Sequence, residues 1–235
     1  MTSIRHVVRT FLSACLRPAR LKLAPRYIDW PDIWAKDAAF IDAMAKIEGV
    51  TLVPRERCFV LHQLARTLEG SNGDFAEIGV YKGGTAYLTA RAAPGKTIHL
   101  FDTFEGMPEV DAGIDAHRTG DFADTRYDDV RSFLAPFRER IAFHKGFFPA
   151  TAAGLEEKTF ALVYVDVDIY QSVKDALAFF YPRLVPGGVM LFDDFDSPKC
   201  QGVRKAIDEF LADKPERPVV TAYYQAMIIK AAAVS

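Results

Sequence analysis

From residue 74 onward, short unbroken apolar runs alternate with longer stretches in which apolar residues recur every three or four positions. Parallel strands joined by crossover helices give this pattern, because a strand buried on both faces needs no polar side, whereas a surface helix needs one apolar stripe. Strands are predicted at Phe75–Ile78, Thr97–Phe101, Ile141–His144, Phe160–Val165 and Val189–Phe192, with a later pair near Val219–Tyr223 and Met227–Lys230. Helices are predicted between them at Thr85–Ala92, Tyr127–Arg140, Ser172–Leu184 and Gly202–Leu211, and Pro186-Gly187-Gly188 reads as a tight turn. Upstream, residues 30–70 look helical, with Pro54 as a first-turn proline and Glu69-Gly70-Ser71-Asn72-Gly73 as the stop. The whole predicts an α/β fold: a Rossmann-like, doubly wound, mostly parallel seven-stranded sheet with helices on both faces.

Composition narrows this. A chain of 235 residues, 50% hydrophobic, is long enough for one well-buried core plus decoration. With 29 basic against 31 acidic residues it has no electrostatic reason to hold nucleic acid, so a small-molecule partner is expected. Cys15, Cys58 and Cys200 are widely spaced and odd in number, which suits neither a disulfide framework nor a CxxC metal knot and points to a reducing, cytoplasmic compartment. No apolar run is long enough to span a bilayer, and no secretory leader is evident.

Charge is uneven, however. Residues 1–26 carry Arg5, Arg9, Arg17, Arg20, Lys22 and Arg26 without one acidic residue. Apolar residues at helical spacing lie between them, so a weak contact with an anionic membrane surface is one expectation and a helix packed on its own domain is the other. A division at residue 50 follows, with a basic, helical extension over 1–50 and the main domain over 51–235. Self-association is compatible with the sequence.

The candidate chemistry sits where the predicted strands end. Phe75-Ala76-Glu77-Ile78-Gly79-Val80-Tyr81-Lys82-Gly83-Gly84-Thr85 is a strand, a glycine-rich turn and a helix start, an arrangement that brings backbone N–H groups close to a ligand. It is not the GxGxxG of dinucleotide enzymes, and Glu77 would repel a pyrophosphate. An ammonium group, such as that of S-adenosylmethionine, suits Glu77 better. Asp102, at the tip of the second strand, can accept both hydroxyls of a ribose. Gly146 and Phe147, after the third, are placed to receive an adenine ring.

The strongest signal is Asp166-Val167-Asp168 after the fourth strand together with Asp193-Asp194 after the fifth. In an open α/β sheet the carboxyl ends of the strands form the ligand crevice, so these acids should converge. Several carboxylates together call for a hard cation such as Mg²⁺ or Mn²⁺ rather than zinc. Tyr170 and Gln171 can line an acceptor pocket or cap a helix, while His62 and His144 read as structural.

These blocks together resemble the macrocin and mycinamicin O-methyltransferase family, over roughly residues 72–210. The likeness rests on Glu77-Ile78-Gly79-Val80 with Gly83-Gly84, Phe101-Asp102-Thr103-Phe104-Glu105-Gly106 with Pro108, Gly146-Phe147-Phe148, Asp166-Val167-Asp168-Ile169-Tyr170, and Pro186-Gly187-Gly188 leading to Asp193-Asp194. It implies the class I methyltransferase fold over 51–235, S-adenosylmethionine held by Glu77, Gly79, Gly83, Gly84, Thr85, Asp102, Gly146 and Phe147, and Mg²⁺ held by Asp166, Asp193 and Asp194. Asp168 would then be the general base, acting on a hydroxylated small-molecule acceptor whose oxygen the cation helps to activate. The extension 1–50 would be a membrane contact or a lid on the acceptor pocket. Two departures fall where acceptors are chosen: Pro149-Ala150-Thr151-Ala152-Ala153 stands where the family often has Asp-Thr-Leu-Pro, and Trp30 to Pro54 shows no clear match. Ile169 stands where catechol-methylating relatives carry a lysine, which argues against a lysine base.

Two other readings compete. A strand ending in Asp-x-Asp with a later Asp-Asp pair also marks haloacid-dehalogenase-like Mg²⁺ phosphotransferases, but there that strand normally opens the domain. A non-catalytic nucleoside-binding protein would share the pocket without turnover.

Overall fold

The computed structural model describes residues 32–111, 113–221 and 223–232, so the basic segment 1–26 and Trp30 lie outside the described residues. Residues Asp37–Ser235 make one compact unit, which contains every strand and helix named below. It begins upstream of residue 50 and so includes the helix α1 (Ala38–Ile47), assigned to the extension on sequence grounds.

Seven strands form one sheet: β1 (Asp74–Ile78), β2 (Ile98–Asp102), β3 (Ile141–Lys145), β4 (Phe160–Val165), β5 (Leu184–Phe192), β6 (Val219–Thr221) and β7 (Gln225–Ile229). Their order is β3-β2-β1-β4-β5-β7-β6. The pairings among β1 to β5 are parallel, and β7 runs antiparallel to both β5 and β6. All seven predicted runs are therefore strands of one mostly parallel sheet. The Asp-x-Asp strand, β4, is central in it and fourth along the chain.

The helices are α1, α2 (Arg55–Leu68), α3 (Gly84–Ala92), α4 (Tyr127–Phe133), α5 (Tyr170–Phe180) and α6 (Gln201–Leu211). Alternation along the strands sends side chains to two cores. Ile78, Phe101, Val163, Val165, Met190 and Phe192 pack with Val173, Ala176, Leu177 and Phe180 of α5 and with Val203, Ala206 and Ile207 of α6. Phe75, Ile98, Leu100, Leu162, Tyr164, Val189 and Leu191 pack with Leu61 and Ala65 of α2 and with Ala86 and Ala90 of α3. Helices thus cover both faces, as expected.

Three local predictions differ from the structure. The stretch 127–140 is α-helical only to Phe133, continuing as a 3₁₀ turn at Ala135–Phe137 that carries Pro136. Likewise α5 stops at Phe180, two residues before Pro182, because a proline lacks the N–H that would continue the ladder and crowds the residue before it. The Pro186-Gly187-Gly188 turn lies within β5: Leu184 pairs with Phe160 and Val189 with Leu162, so the intervening residues bulge from the ladder.

Candidate active site

A cleft of about 400 Å³ opens at the carboxyl ends of β1, β2, β4 and β5. Of the twelve residues expected to form the site, Gly79, Gly84, Thr85, Asp102, Gly146, Phe147, Asp166, Asp168 and Asp194 line it. Glu77, Gly83 and Asp193 do not, and each has its own environment.

The loop after β1 is built by packing as much as by any ligand. Gly79 has φ +87°, and a Cβ there would stand 1.9 Å from the Asp166 carbonyl oxygen, so only glycine lets β1 and β4 end side by side. A Cβ on Gly84 would meet Thr51 Cβ at 2.7 Å, which makes that glycine a packing requirement against the α1–α2 connection. Gly83, at φ +84°, caps α3.

Asp102 holds this loop. One carboxylate oxygen accepts N–H bonds from Val80 (2.7 Å) and Tyr81 (2.9 Å), and the other accepts from Phe104 (2.6 Å). Tyr81 and Phe104 are both left-handed, at φ 51° and 55°, a costly conformation for bulky residues. The carboxylate therefore fixes two strained loop residues at once. A carboxylate has roughly four lone-pair sites, so about one is left for a ribose hydroxyl.

Glu77 lies one layer below the lining. It is 1% exposed, accepts the Thr85 hydroxyl at 2.6 Å on Oε1, and has no hydrogen-bond partner on Oε2 among the described residues. Burial pushes its carboxyl up to about 8, with the Asp102 and Asp193 charges adding to the shift and the Thr85 bond opposing it. A buried oxygen without a donor, beneath a ligand-sized cleft, is what a cationic group could satisfy.

The acids divide. Oxygens of Asp166, Asp168 and Asp194 all lie within 4.8 Å of one another. Asp193 was expected to join Asp166 and Asp194 in holding a cation, with Asp168 beside them, but its neighbours are elsewhere: its oxygens accept from Arg57 Nη1 (3.1 Å) and Gln225 Nε2 (2.7 Å). The reason is local. The Asp193 N–H bonds the Val165 carbonyl, so Asp193 continues β5, whereas Asp194 at φ 59° turns the chain and its side chain lines the cleft. Burial drives Asp166 well above the ordinary carboxylate range, and repulsion from Asp193, Asp168 and Asp194 adds to it. Asp168, also left-handed at φ 58°, is pushed up to about 7 by burial and then by Asp194.

Arg57 was not anticipated. From the first turn of α2 it reaches Asp193, Asp194 (Nη2, 3.1 Å) and, through Nε, the Tyr223 carbonyl in the β6–β7 turn. Burial opposes its charge, but Asp193 and Asp194 overcome that and hold it protonated. No spacing in the sequence links residue 57 to residues 193 and 194. Of the remaining candidates, Tyr170 bonds Glu209 (2.5 Å) and does not line the cleft, His62 stacks on Phe59 and lies tilted against Phe40, and His144 stacks on Phe101 and contacts His99.

A family model described as macrocin-O-methyltransferase (TylF) matches residues 42–222. The 8-demethyl-8-(2,3-dimethoxy-alpha-L-rhamnosyl)-tetracenomycin-C 4'-O-methyltransferase of Streptomyces olivaceus is 30% identical over 168 residues, 64% of this chain and 64% of its own length. The chain thus spans less than two thirds of that relative. Among solved structures, the O-methyltransferase NovP superposes with a TM-score of 0.66 at 24% identity, over 78% of this chain and 83% of its own. TomG from Streptomyces achromogenes, solved in complex with SAM, gives 0.58 at 17% identity over 99% and 100%. Both share the fold. No helix among the described residues is long and apolar enough to cross a membrane.

Proposed function

Because the chain belongs to the macrocin O-methyltransferase (TylF) family, we propose that it transfers a methyl group from S-adenosylmethionine to a hydroxyl of a small polyhydroxylated acceptor, beside a divalent cation. The observation that carries this is the meeting of the Asp102-clamped glycine loop and the Asp166, Asp168 and Asp194 oxygens in one cleft. Family membership weighs against a phosphotransferase, and so does β4's place as the fourth strand rather than the first.

S-adenosylmethionine, when bound, supplies an electrophilic sulfonium methyl. On the protein side, Glu77 is the partner for its ammonium, Asp102 for its ribose, and Gly146 and Phe147 flank its adenine. The acid cluster fits a hard cation such as Mg²⁺ or Mn²⁺: the donors are all oxygen, and burial, with repulsion from the neighbouring carboxylates added to it, pushes Asp166 up. Asp166 and Asp194 would hold it, and Asp193 keeps Arg57 behind them. A cation held there would lower the pKa of a nearby acceptor hydroxyl. Asp168 takes the acceptor hydroxyl proton on its carboxylate, and the cleft walls align the acceptor oxygen. The tetracenomycin relative's name speaks of a rhamnosyl group, which makes a sugar hydroxyl on a natural product the favoured acceptor.

The test is turnover of labelled S-adenosylmethionine with glycosylated natural products bearing free sugar hydroxyls. Wild-type protein should label the acceptor. Asp168→Asn should lower the rate about 10²- to 10⁴-fold while cofactor affinity stays within a few fold, and excess chelator should stop turnover until Mg²⁺ is restored. Full activity in chelator would remove the cation from the reaction, and a protein that binds NAD⁺ but not S-adenosylmethionine would overturn the reading.

A further inference from the structure

Behind the wall of the cleft, three different ligand types meet. His117, on the loop 103–126, Cys200, just before α6, and Asp168 each offer one atom, all within 4.8 Å of one another. Cys200 Sγ is 3.4 Å from Asp168 Oδ1 and 3.6 Å from His117 Nε2, and His117 Nε2 is 4.0 Å from Asp168 Oδ1. Of the three, only Asp168 lines the cleft.

These separations can be compared with what a metal would need. A tetrahedral zinc with bonds of about 2.3 Å to sulfur, 2.05 Å to nitrogen and 2.0 Å to oxygen places its sulfur about 3.5 Å from each of the other two ligands and the nitrogen about 3.3 Å from the oxygen. Both sulfur distances already match. Only the His117–Asp168 gap must close, by less than an ångström, and His117 belongs to a loop. The other ring nitrogen, Nδ1, faces Asp121 Oδ2 at 3.3 Å, a contact that holds the proton on Nδ1 and leaves Nε2 free to ligate. A nitrogen, a sulfur and one oxygen select a borderline-soft ion, in contrast to the all-oxygen cluster beside them.

We propose that His117, Asp168 and Cys200 form a site for a borderline-soft divalent cation, Zn²⁺, with a fourth position open, and that filling it inhibits the enzyme by taking Asp168 out of use. The site itself stands on the geometry above; its inhibitory effect rests on the role proposed for Asp168. Binding displaces the Cys200 thiol proton, because the ligand is the thiolate. Zn²⁺ would also tie the loop that carries His117 to the end of β4 and the start of α6.

Cobalt(II) is the probe, because a cobalt–thiolate bond gives a near-ultraviolet charge-transfer band that oxygen ligands cannot give. Titrating Co²⁺ into the chelator-treated full-length chain should produce that band at one equivalent, with strong tetrahedral visible bands, and Zn²⁺ but not Mg²⁺ should erase it. Cys200→Ser should lose the charge-transfer band while Cys58→Ser and Cys15→Ser keep it. His117→Ala, a loop variant that leaves the core intact, should weaken Co²⁺ binding at least about 100-fold. Absence of the band, or its survival in Cys200→Ser, overturns the site. In methyl-transfer assays with excess Mg²⁺, one equivalent of Zn²⁺ should slow wild type at least about tenfold, while His117→Ala keeps most of its own uninhibited rate. A cobalt band without zinc inhibition overturns the inhibitory role alone. Failure of methyl transfer with every acceptor would count against the proposed activity and leave the cobalt result standing.

Discussion

Replacing Glu77 with Gln separates what the buried carboxyl does to the fold from what it does for a ligand. Its carboxyl moves from an ordinary 4.5 to about 8 on folding. The folded state therefore binds more protons than the unfolded chain between those values, and stability falls as pH rises through that window. The cost is absent below about pH 4.5, reaches about 3 kcal/mol at pH 7 and levels off near 5 kcal/mol above pH 8. Glutamine keeps an acceptor for the Thr85 hydroxyl but cannot ionise, so Glu77→Gln removes this pH dependence. In a domain of this size 1 kcal/mol is about 2–4 °C. About 2.5 kcal/mol of this arises between pH 5 and 7, so the wild-type Tm should fall relative to the variant by about 5–10 °C over that interval, in scanning calorimetry without ligand.

The same change should act oppositely on binding. A charge-assisted hydrogen bond is worth about 1.5–3 kcal/mol, so titration calorimetry at pH 8 should find S-adenosylmethionine bound about 10- to 100-fold more weakly by Glu77→Gln. Parallel Tm-against-pH curves would show that Glu77 is not held neutral by burial. Equal affinities would show that its unpartnered oxygen does not meet the cofactor ammonium.

Three further substitutions, the last paired with a control, probe the neighbouring machinery. Arg57→Gln leaves Asp193 buried without its counter-charge and should cost about 3–5 kcal/mol in urea denaturation, with Mg²⁺ restoring more stability to the variant than to wild type; an unchanged midpoint would refute the ion pair's role. Asp102→Asn puts an NH₂ donor against an N–H of Phe104 or of the Val80–Tyr81 pair, and should weaken S-adenosylmethionine binding at least about tenfold by calorimetry. Gly79→Ala forces a methyl group to 1.9 Å from the Asp166 carbonyl and should cost more than about 4 kcal/mol or abolish soluble expression, whereas Gly70→Ala, with nothing within 4 Å, should be near neutral.

The fold was legible because each strand carries its own signal. Phe160–Val165 is apolar on both faces, and such a run has no stable place except the interior of a parallel sheet. Helix ends were less so, since Pro136 and Pro182 act through neighbouring backbone rather than through any apolar period. The Pro186–Gly188 bulge was read as a turn for a similar reason: glycine marks where the backbone bends, not whether the strand resumes its pairing afterwards. Strand-end placement led to the expectation that Asp166, Asp168, Asp193 and Asp194 converge; the oxygens of Asp166, Asp168 and Asp194 lie together, while Asp193 meets Arg57 and Gln225 instead. Arg57 could not be found this way. Its partners are 136 and 137 residues away in the chain, and an arginine early in a helix reads as solvated until the packing of α2 on the sheet is known. Nor could His117 be found, since its loop has no periodicity from which its direction could be read.

The division between Asp193 and Asp194 shows why a count of acids is not yet a site. Two unit charges no more than 4.8 Å apart repel by at least about 3 kcal/mol at an effective dielectric of 20. Three such pairs, if Asp166, Asp168 and Asp194 were all ionised, would cost about as much as a domain's whole stability. Arg57 does not relieve all of this, because it is shared between Asp193 and Asp194 and contacts neither Asp166 nor Asp168. What it does is fix the position of the Asp193–Asp194 pair, and with it the backbone turn that directs Asp194 toward the cleft. The trio is then left with an excess of negative charge that protons relieve in part, since burial first and then repulsion from Asp193, Asp168 and Asp194 raise Asp166. A dipositive ion would relieve it more fully. The arginine positions the acids, and the remaining negative charge is what favours a cation beside Asp168.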